Sequence, residues 1–440
     1  MALGTQQNST TVNTPAADQN YRGPLAMVTT LFFMWGFLTS MNDILIPHLK
    51  SIFDLNYFEV MLVQFFFFLA YAVVSIPAGI VIERVGYKPS MVVGLLIMGL
   101  GSLLFIPAAM VPSFPLFLFA LAVLATGITD LQVSANPYVA VLGPAGTASS
   151  RLTLTQAFNS LGTVLGPRLG AWLILGGATA YTAEQIVKMT PAQLHAYRIQ
   201  EASTVKLPYL LIAIALIVLG IVIARFKLPQ ISAAEGGHKT EAGAHDSMWR
   251  HRNLVMGSIA IFTYVGAEVA IGSFMVNYLH EPSIGNLTLE QASAYLAFGY
   301  WFGAMVGRFA GSWVLRQISP RVVLGFNALV AACLVCFSMA TSGRFAMWSI
   351  ILVGLFNSIM FPTIFTLGIE GLGPLTGEGS GLLNTAIVGG AIIPLIQGFI
   401  ADSIGIHHAF ILPVLCYFYI LFFAIKGLPH RTSSATRTPA

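Results

Sequence analysis

Apolar runs of about 20 residues, long enough to cross a bilayer as helices, recur along most of this chain. Roughly twelve such runs are present, and only 9% of the residues are charged, far fewer than in a soluble domain. They begin near Leu25, Phe58, Pro89, Phe114, Leu152, Leu207, Leu254, Gln291, Val322, Phe345, Gly379 and Ile404. The run LLIAIALIVLGIVIA lacks the period-two alternation of a barrel strand. The sequence therefore predicts an all-α membrane protein with twelve transmembrane helices.

A short pattern occurs once in each half of the chain, with the same internal spacing. The first copy carries Pro137 and Asn159, and the second carries Pro362 and Asn384. Two related halves suit a transporter, because a site between them can face either side of the membrane in turn. The longest polar, low-complexity segment lies between the sixth and seventh predicted spans. We predict two pseudo-symmetric six-helix bundles at 23–228 and 252–428, a cytoplasmic linker at 229–251, and disordered cytoplasmic tails at 1–22 and 429–440.

Lysine and arginine residues in the predicted loops indicate the orientation of the spans. If the N-terminus is cytoplasmic, most of these residues lie on the cytoplasmic side, as the positive-inside rule requires. We therefore expect a multi-pass protein of the cell inner membrane, surrounded by lipid, with both termini in the cytoplasm. The net charge of +4 follows from this asymmetry, and no basic soluble face indicates nucleic-acid binding.

Charged residues inside predicted spans indicate function, because a charge at mid-bilayer costs roughly 2.5–3.5 kcal/mol on insertion scales. Asp43, Asp130, Arg168 and Glu268 each lie within a predicted span. A carboxylate in a dry cavity can exchange a proton near neutral pH, since burial favours its neutral form. The three carboxylates are therefore candidates for proton coupling. Asp130 and Arg168 lie at similar depth on neighbouring spans, so mutual neutralisation, with Arg168 as a structural charge, is the alternative for that pair.

Side-chain amides and aromatic rings also cluster in the predicted spans. Carboxamides both donate and accept hydrogen bonds, which suits the neighbouring hydroxyls of a sugar. Gln156 and Asn159 are three residues apart and share one helix face. The alternative for the amides is hydrogen bonding between helices, worth about 0.6 kcal/mol on average. The candidate substrate-binding residues are Trp35, Asn42, Gln132, Gln156, Asn159, Asn277, Asn357, Phe361 and Asn384.

The residues give little support to other chemistry. Cys333 and Cys336 form a C-x-x-C pattern inside the ninth span, and we interpret them as small apolar side chains. No phosphate-binding Gly-Lys-Ser/Thr loop is present, which argues against transport driven by ATP. A membrane enzyme would need a clustered nucleophile, metal set or acid–base pair near a membrane surface. We expect no enzymatic activity, no metal and no cofactor.

Charged turns follow the second and eighth predicted spans. The first reads GIVIERVGYK, with Glu83 and Arg84 as structural charges, and the second reads GSWVLRQISPR. Both resemble the loop signature of the major facilitator superfamily. Within it, the chain resembles the fucose–proton symporter family through WGF…NDILIPHL, SANPYVAVLGP, LTQAFNSLG and GLLNTAIVGGAIIP. YVGAEVAIGSF and FNSIMFPTIF look more like the glucose/galactose transporter branch of that family.

The resemblance implies a major facilitator fold and roles for particular residues. Asp43 matches an acidic residue tied to proton coupling or sugar recognition. Gln156 and Asn159 match amides that line the sugar cavity, and Trp35 matches an aromatic residue close to it. Gln132 departs from the pattern, because fucose symporters have an acidic residue of the proton relay there and glutamine cannot titrate.

We predict a secondary active transporter that works as a monomer. It would import a hexose of the glucose, galactose or mannose type by proton symport with alternating access. Symport of L-fucose with protons, sodium coupling and uncoupled transport are the alternatives among sugar transporters. A drug–proton antiporter would have a more apolar cavity. A membrane sensor would bind the sugar at the same site without moving it.

Overall fold

The computed structural model describes residues 21–53, 57–111, 113–170, 189–229 and 247–426. Inside the helices, the side chains at 41–52, 57–61, 64, 167, 168, 170, 191, 195 and 202 are not among those described. The predicted tails, apart from residues 21 and 22, and most of the predicted linker lie outside these ranges.

The first half of the described chain is helical. Its helices are α1 (Arg22–Phe53), α2 (Tyr57–Val85), α3 (Tyr87–Met110), α4 (Phe114–Val141), α5 (Ala148–Gly170), α6 (Pro191–Ser203) and α7 (Lys206–Arg225).

The second half is also helical. Its elements are α8 (Arg252–His280), α9 (Leu289–Tyr295), α10 (Phe302–Val314), α11 (Pro320–Ala340), α12 (Gly343–Asn357), α13 (Met360–Gly368), α14 (Thr376–Thr385), α15 (Gly389–Ile404), α16 (Ile406–Ala409) and α17 (Ile411–Lys426). The described residues contain no strand, so the all-α prediction is confirmed.

Several helix boundaries follow from local sequence chemistry. Gly86 separates α2 from α3 with φ of 89°, and Gly405 separates α15 from α16 with φ of 86°. Glycine adopts these left-handed conformations without the steric cost that a side chain would add. Thr288 and Gln291 form a capping box in which each side chain bonds the other's backbone N–H, and this begins α9.

Ten stretches of the described chain are helical, long and apolar enough to cross a membrane. The fifth and eighth predicted spans are not among them. The fifth, α5, carries many polar side chains, including Gln156 and Asn159. The eighth is divided, because a π-helical segment at Leu296–Trp301 lies between α9 and α10. Both pack within the bundle, α5 against α1 and α10 against α5.

The outer surface of the bundle is strongly apolar. Large hydrophobic side chains are exposed on many helices, with Phe345 at 73%, Leu395 at 71% and Phe399 at 81%. A soluble monomer rarely exposes such extensive apolar surface, because burying it is favourable. This surface is suited to contact with lipid acyl chains.

The two copies of the repeated pattern fold alike. Pro137 lies in α4, a short 3₁₀ turn at Ala145–Thr147 follows, and Asn159 lies in α5. Pro362 lies in α13, a 3₁₀ turn at Gly373–Leu375 follows, and Asn384 lies in α14. The repeat therefore marks the same helix–turn–helix unit in each half.

The halves meet closely at the end of the molecule where α7 ends and α8 begins, which we call the linker side. There α2 and α4 pack against α14, and α5 packs against α10 and α13. A Cβ atom at Gly79 would lie 2.5 Å from the carbonyl oxygen of Gly377, so only a glycine permits this approach. Ser380 of α14 donates a 2.8 Å hydrogen bond to the carbonyl oxygen of Val133 in α4. The bundle is therefore closed on the linker side.

Candidate functional site

A cavity of about 250 Å³ lies between the two halves. Residues of α1, α2, α4 and α5 form one wall, and residues of the second half form the other. Its polar lining residues are Thr39, Gln132, Gln156, Asn159, Ser160, Thr163, Tyr264, Glu268 and Arg308, and its aromatic ones include Trp35, Tyr71, Trp301 and Phe361. The lining thus combines hydrogen-bonding groups with apolar ring faces.

Amide side chains dominate the wall formed by the first half. Asn159 Nδ2 donates a 2.9 Å hydrogen bond to the carbonyl oxygen of Phe32, and this fixes α5 against α1. Gln156 Nε2 lies 3.5 Å from Asn136 Oδ1, and Gln132 Nε2 donates to the hydroxyl of Tyr71. These bonds use the amide nitrogens. The carbonyl oxygens remain available to accept hydrogen bonds from a ligand, which suits a polyhydroxylated molecule.

Opposite charges face each other on the wall formed by the second half. Arg308 Nη2 of α10 lies 3.7 Å from Glu268 Oε1 of α8, and each side chain is only 13% exposed. The hydroxyl of Tyr264 donates to the same Glu268 oxygen at 2.7 Å and lies 3.1 Å from the carbonyl oxygen of Asn357. The Glu268 carboxylate is therefore held by one cation and one neutral donor, and its own exposure to water is low.

Arg308 also reaches the opposite half. Its Nη1 donates to the hydroxyl oxygen of Ser160 in α5, and its Nε donates to the carbonyl oxygen of Ser358 at 3.1 Å. Arginine carries several N–H donors in a planar fork, so it can hold three partners at once. The guanidinium therefore links Glu268, the turn between α12 and α13, and the first half.

A buried tyrosine–amide cluster lies behind Glu268. Asn357 Nδ2 donates to the hydroxyl of Tyr300 at 2.8 Å, and the hydroxyl of Tyr417 donates to Asn357 Oδ1 at 2.8 Å. Tyr300 and its neighbour Trp301 both belong to the π-helical segment. Tyr300 lies in this cluster, whereas Trp301 lines the cavity. Such local bulges shift side-chain directions and are frequent at functional sites.

The structure brings six of the predicted site residues to the cavity. They are Trp35, Gln132, Gln156, Asn159, Glu268 and Phe361. Asn357 lies one hydrogen bond behind this lining, through Tyr264. Asn277 lies exposed near the end of α8, and Asn384 donates to the carbonyl oxygen of Ser380 within its own helix, so neither lines the cavity.

The remaining predicted residues are placed as follows. Asp130 is buried outside the cavity lining, where Ser90 Oγ donates to its Oδ1 at 3.3 Å. Glu83 Oε1 accepts a 3.1 Å hydrogen bond from the backbone N–H of Glu378, across the linker-side closure, while Arg84 is exposed. The side chains of Asn42, Asp43 and Arg168 lie outside those described.

Arg308 is the main site residue that sequence reasoning missed. It stands inside the eighth predicted span, in GAMVGRFAGSW, so its position in an apolar run was the available signal. Its pairing with Glu268 of α8 depends on the arrangement of the helices in the folded bundle, and nothing in the local sequence of either helix specifies that. Tyr71, Ser160 and Tyr264 were also missed, because single hydroxyl residues in membrane helices carry no distinctive pattern.

A polar cavity between two related helical halves that are closed together on one side is the architecture of an alternating-access membrane transporter. The sequence pattern of the Major Facilitator Superfamily matches residues 28–393. The chain belongs to this superfamily, and the predicted fold is confirmed.

Curated relatives are similar over almost their whole length. The glucose/galactose transporter of Brucella abortus biovar 1 (strain 9-941) is 50% identical over 427 residues, which cover 97% of this chain and 99% of that one. The putative glucose/galactose transporter of Helicobacter pylori (strain J99 / ATCC 700824) is 43% identical over 415 residues, covering 93% and 98%. The crystal structure of the transporter FucP in the outward conformation matches with a TM-score of 0.86 at 34% identity, covering 93% of this chain and 99% of FucP.

Proposed function

We propose that this protein imports a hexose of the glucose, galactose or mannose type by proton symport. The observation that carries the proposal is that the two walls of the cavity carry different polar groups. Amides line the wall of the first half, and an ion-paired carboxylate, Glu268, lies on the wall of the second half. The two bacterial relatives, both named as glucose/galactose transporters, support a hexose as the substrate.

Sugar recognition is assigned to the amides and the aromatic rings. The carbonyl oxygens of Gln132, Gln156 and Asn159 would accept hydrogen bonds from ring hydroxyls. Trp35 and Phe361 would pack against the apolar faces of the ring. Asn277 and Asn384 have no part in this arrangement, because both lie away from the cavity.

Proton coupling is assigned to Glu268. It is a carboxylate that lines the cavity, whereas Asp130 does not and Gln132 cannot titrate. A carboxylate within reach of the substrate can couple proton binding to sugar binding directly, because protonation changes the charge beside the bound sugar. Asp43 stays a second candidate, as an acidic residue inside a predicted span that also matches the family pattern.

Orientation follows if the linker is cytoplasmic, as the loop charges indicate. The closed linker side is then the cytoplasmic side, both termini are cytoplasmic, and the cavity belongs to an outward-facing state. The bundles at 23–228 and 252–428 would be the two moving bodies. One chain contains both walls of the cavity, so a monomer suffices for transport.

Uptake of labelled D-glucose into proteoliposomes, with and without an inward proton gradient and in sodium-free buffer, tests the proposal. We expect accumulation above the external concentration only with the gradient, and competition by D-galactose or D-mannose. Accumulation that requires sodium, or mere equilibration regardless of pH, would contradict proton symport. Binding of glucose without any uptake would indicate a sensor instead.

A further inference from the structure

Arg308 lies where the cavity ends and the linker-side closure begins. From there to the linker side, α5 of the first half contacts α10 of the second half, and we call this contact the floor. It consists of Ser160 with Arg308, Phe158 with Phe309 at a ring-centroid distance of 5.7 Å, and Ser150 with Ser312, whose carbonyl oxygen accepts a 2.5 Å hydrogen bond. An inward-facing state requires that these contacts separate.

The charge of Arg308 is balanced by one described group, Glu268. The other titratable groups that face Glu268 are Tyr264, Tyr300 and Tyr417, from α8, the π-helical segment and α17. Tyrosine is neutral throughout the physiological pH range, so these hydroxyls cannot replace the negative charge. When Glu268 takes up a proton, Arg308 becomes an uncompensated cation with little access to water.

We propose that Arg308 is the positioning residue that transmits the charge state of Glu268 to the floor. This inference rests on the proposed proton coupling through Glu268. With Glu268 ionised, the guanidinium is held between Glu268 and Ser160, and the floor stays closed. With Glu268 protonated, the closed state contains an unpaired buried charge, and opening the floor hydrates it.

The direction of this effect suits import. Protonation of Glu268 raises the free energy of the closed floor relative to the open floor, because desolvated charge without a partner is unfavourable. The bound sugar also stabilises the open floor relative to the closed floor, and this supplies the rest of the free energy that opening needs. Loss of the proton to the cytoplasm restores the ion pair, and the pair draws α10 back towards α5.

A buried reporter on the floor can measure opening directly. Thr153 of α5 is fully buried, and its Cγ2 would lie 4.0 Å from a Cβ atom at Gly311 of α10. The variant Thr153→Cys, with Cys333, Cys336 and Cys416 replaced by serine, places one thiol there. Its rate of reaction with a maleimide supplied from the linker side, in the presence of glucose, reports the open fraction.

We expect the reaction rate in the reporter background to rise by roughly tenfold as Glu268 is protonated on going from alkaline to mildly acidic pH, within the usual range of coupling between sites. Glu268→Gln should react fast at every pH. Arg308→Gln should lose the pH response, since no cation is left to become unpaired. The maleimide's own pH dependence is removed by normalising each rate to that of the unfolded reporter.

Arg316→Gln is the matched control. Arg316 lies just beyond the end of α10 and, like Arg308, donates across the closure, to Ser150 Oγ at 3.4 Å, but it does not pair with Glu268. Its loss should change the overall rate and preserve the pH response. Ser160→Ala should behave likewise, because it weakens the floor and leaves the ion pair intact.

A pH response in Arg308→Gln equal to that of the reporter background would overturn the inference, whatever the uptake results. A different measurement tests the proposed function. Accumulation of sugar by Glu268→Gln under a proton gradient would contradict proton coupling through Glu268. Should Arg308→Gln be too unstable to purify, the double variant Glu268→Gln with Arg308→Gln answers the same question. It contains no unpaired cation, so it should react slowly at every pH, and a rate as fast as that of Glu268→Gln alone would overturn the inference.

Discussion

Gln132 Nε2 donates a hydrogen bond to the hydroxyl of Tyr71, and both side chains line the cavity. The resemblance to fucose symporters predicts an acidic residue at position 132. Here that position is neutral and its amide nitrogen is engaged, while a carboxylate appears on the opposite wall at Glu268. If the protein moves protons, the carboxylate that couples them lies on the wall of the second half, whereas the resemblance to fucose symporters predicts one on the wall of the first half.

Glu268→Gln tests that assignment. Glutamine keeps the size of the side chain but cannot take up a proton, so accumulation of sugar against its gradient should be lost. Exchange of labelled for unlabelled sugar should persist, because exchange needs no net proton movement. Asp130→Asn serves as the control, since Asp130 lies outside the cavity lining, and it should still accumulate sugar. The opposite pattern would transfer the coupling role to Asp130.

Asp43→Asn addresses the candidate that comes from the sequence, as a charge inside a predicted span that matches the family pattern. If Asp43 takes part in coupling, its neutral variant should lose accumulation and keep counterflow exchange. Uphill accumulation by the variant, measured in the same proteoliposomes, would remove Asp43 from the coupling mechanism.

Asn159→Ala should weaken sugar binding. The amide can bond a ring hydroxyl, and loss of a partner for a buried polar group costs about 1–3 kcal/mol, or roughly 5- to 150-fold in KM. The substitution also removes the 2.9 Å bond to the Phe32 carbonyl, so thermal stability must be measured in parallel. Asn277→Ala is the comparison, because Asn277 is exposed and remote from the cavity. A KM for Asn159→Ala within twofold of the parent would exclude a sugar contact.

The ion pair between Glu268 and Arg308 should behave as a unit in stability measurements. Removing either partner alone leaves a poorly hydrated charge, and such changes cost up to about 3–5 kcal/mol. The double variant Glu268→Gln with Arg308→Gln removes both charges and should recover much of the loss. Thermal unfolding in detergent gives the comparison. Strictly additive losses would mean that the two charges do not stabilise each other.

The fold was largely predictable because its determinants are local. A helix that crosses a bilayer needs about 20 apolar residues in succession, and the runs are visible one by one. The pattern of Pro137 and Asn159 recurs in the second half as Pro362 and Asn384. This repeat correctly marked two equivalent helix–turn–helix units. Those signals require no knowledge of which helices are neighbours.

The site was less predictable because it depends on helix rotation. Each residue turns the helix by about 100°, so a small difference in packing moves a side chain out of a cavity. Asn159 and Asn384 occupy matching places in the repeat, yet Asn159 lines the cavity while Asn384 bonds its own helix. The pair of Glu268 and Arg308 joins residues far apart in sequence, and only the arrangement of the helices in the folded bundle brings them together.

Substrate choice provides the sharpest test of the glucose/galactose assignment. Glucose and galactose carry a hydroxyl at carbon six and fucose does not. A site that hydrogen-bonds this hydroxyl leaves its own buried polar groups unpaired when the hydroxyl is missing, and such sites can reject the deoxy analogue by up to about 10⁴-fold. Glu268 and Arg308 offer an acceptor and donors on one wall, facing the amides of the other, so the sugar meets polar groups at both ends. D-glucose, with D-galactose or D-mannose, should therefore compete for uptake far better than L-fucose. Equal or better competition by L-fucose would contradict the assignment to the glucose/galactose branch, while membership of the superfamily would stand.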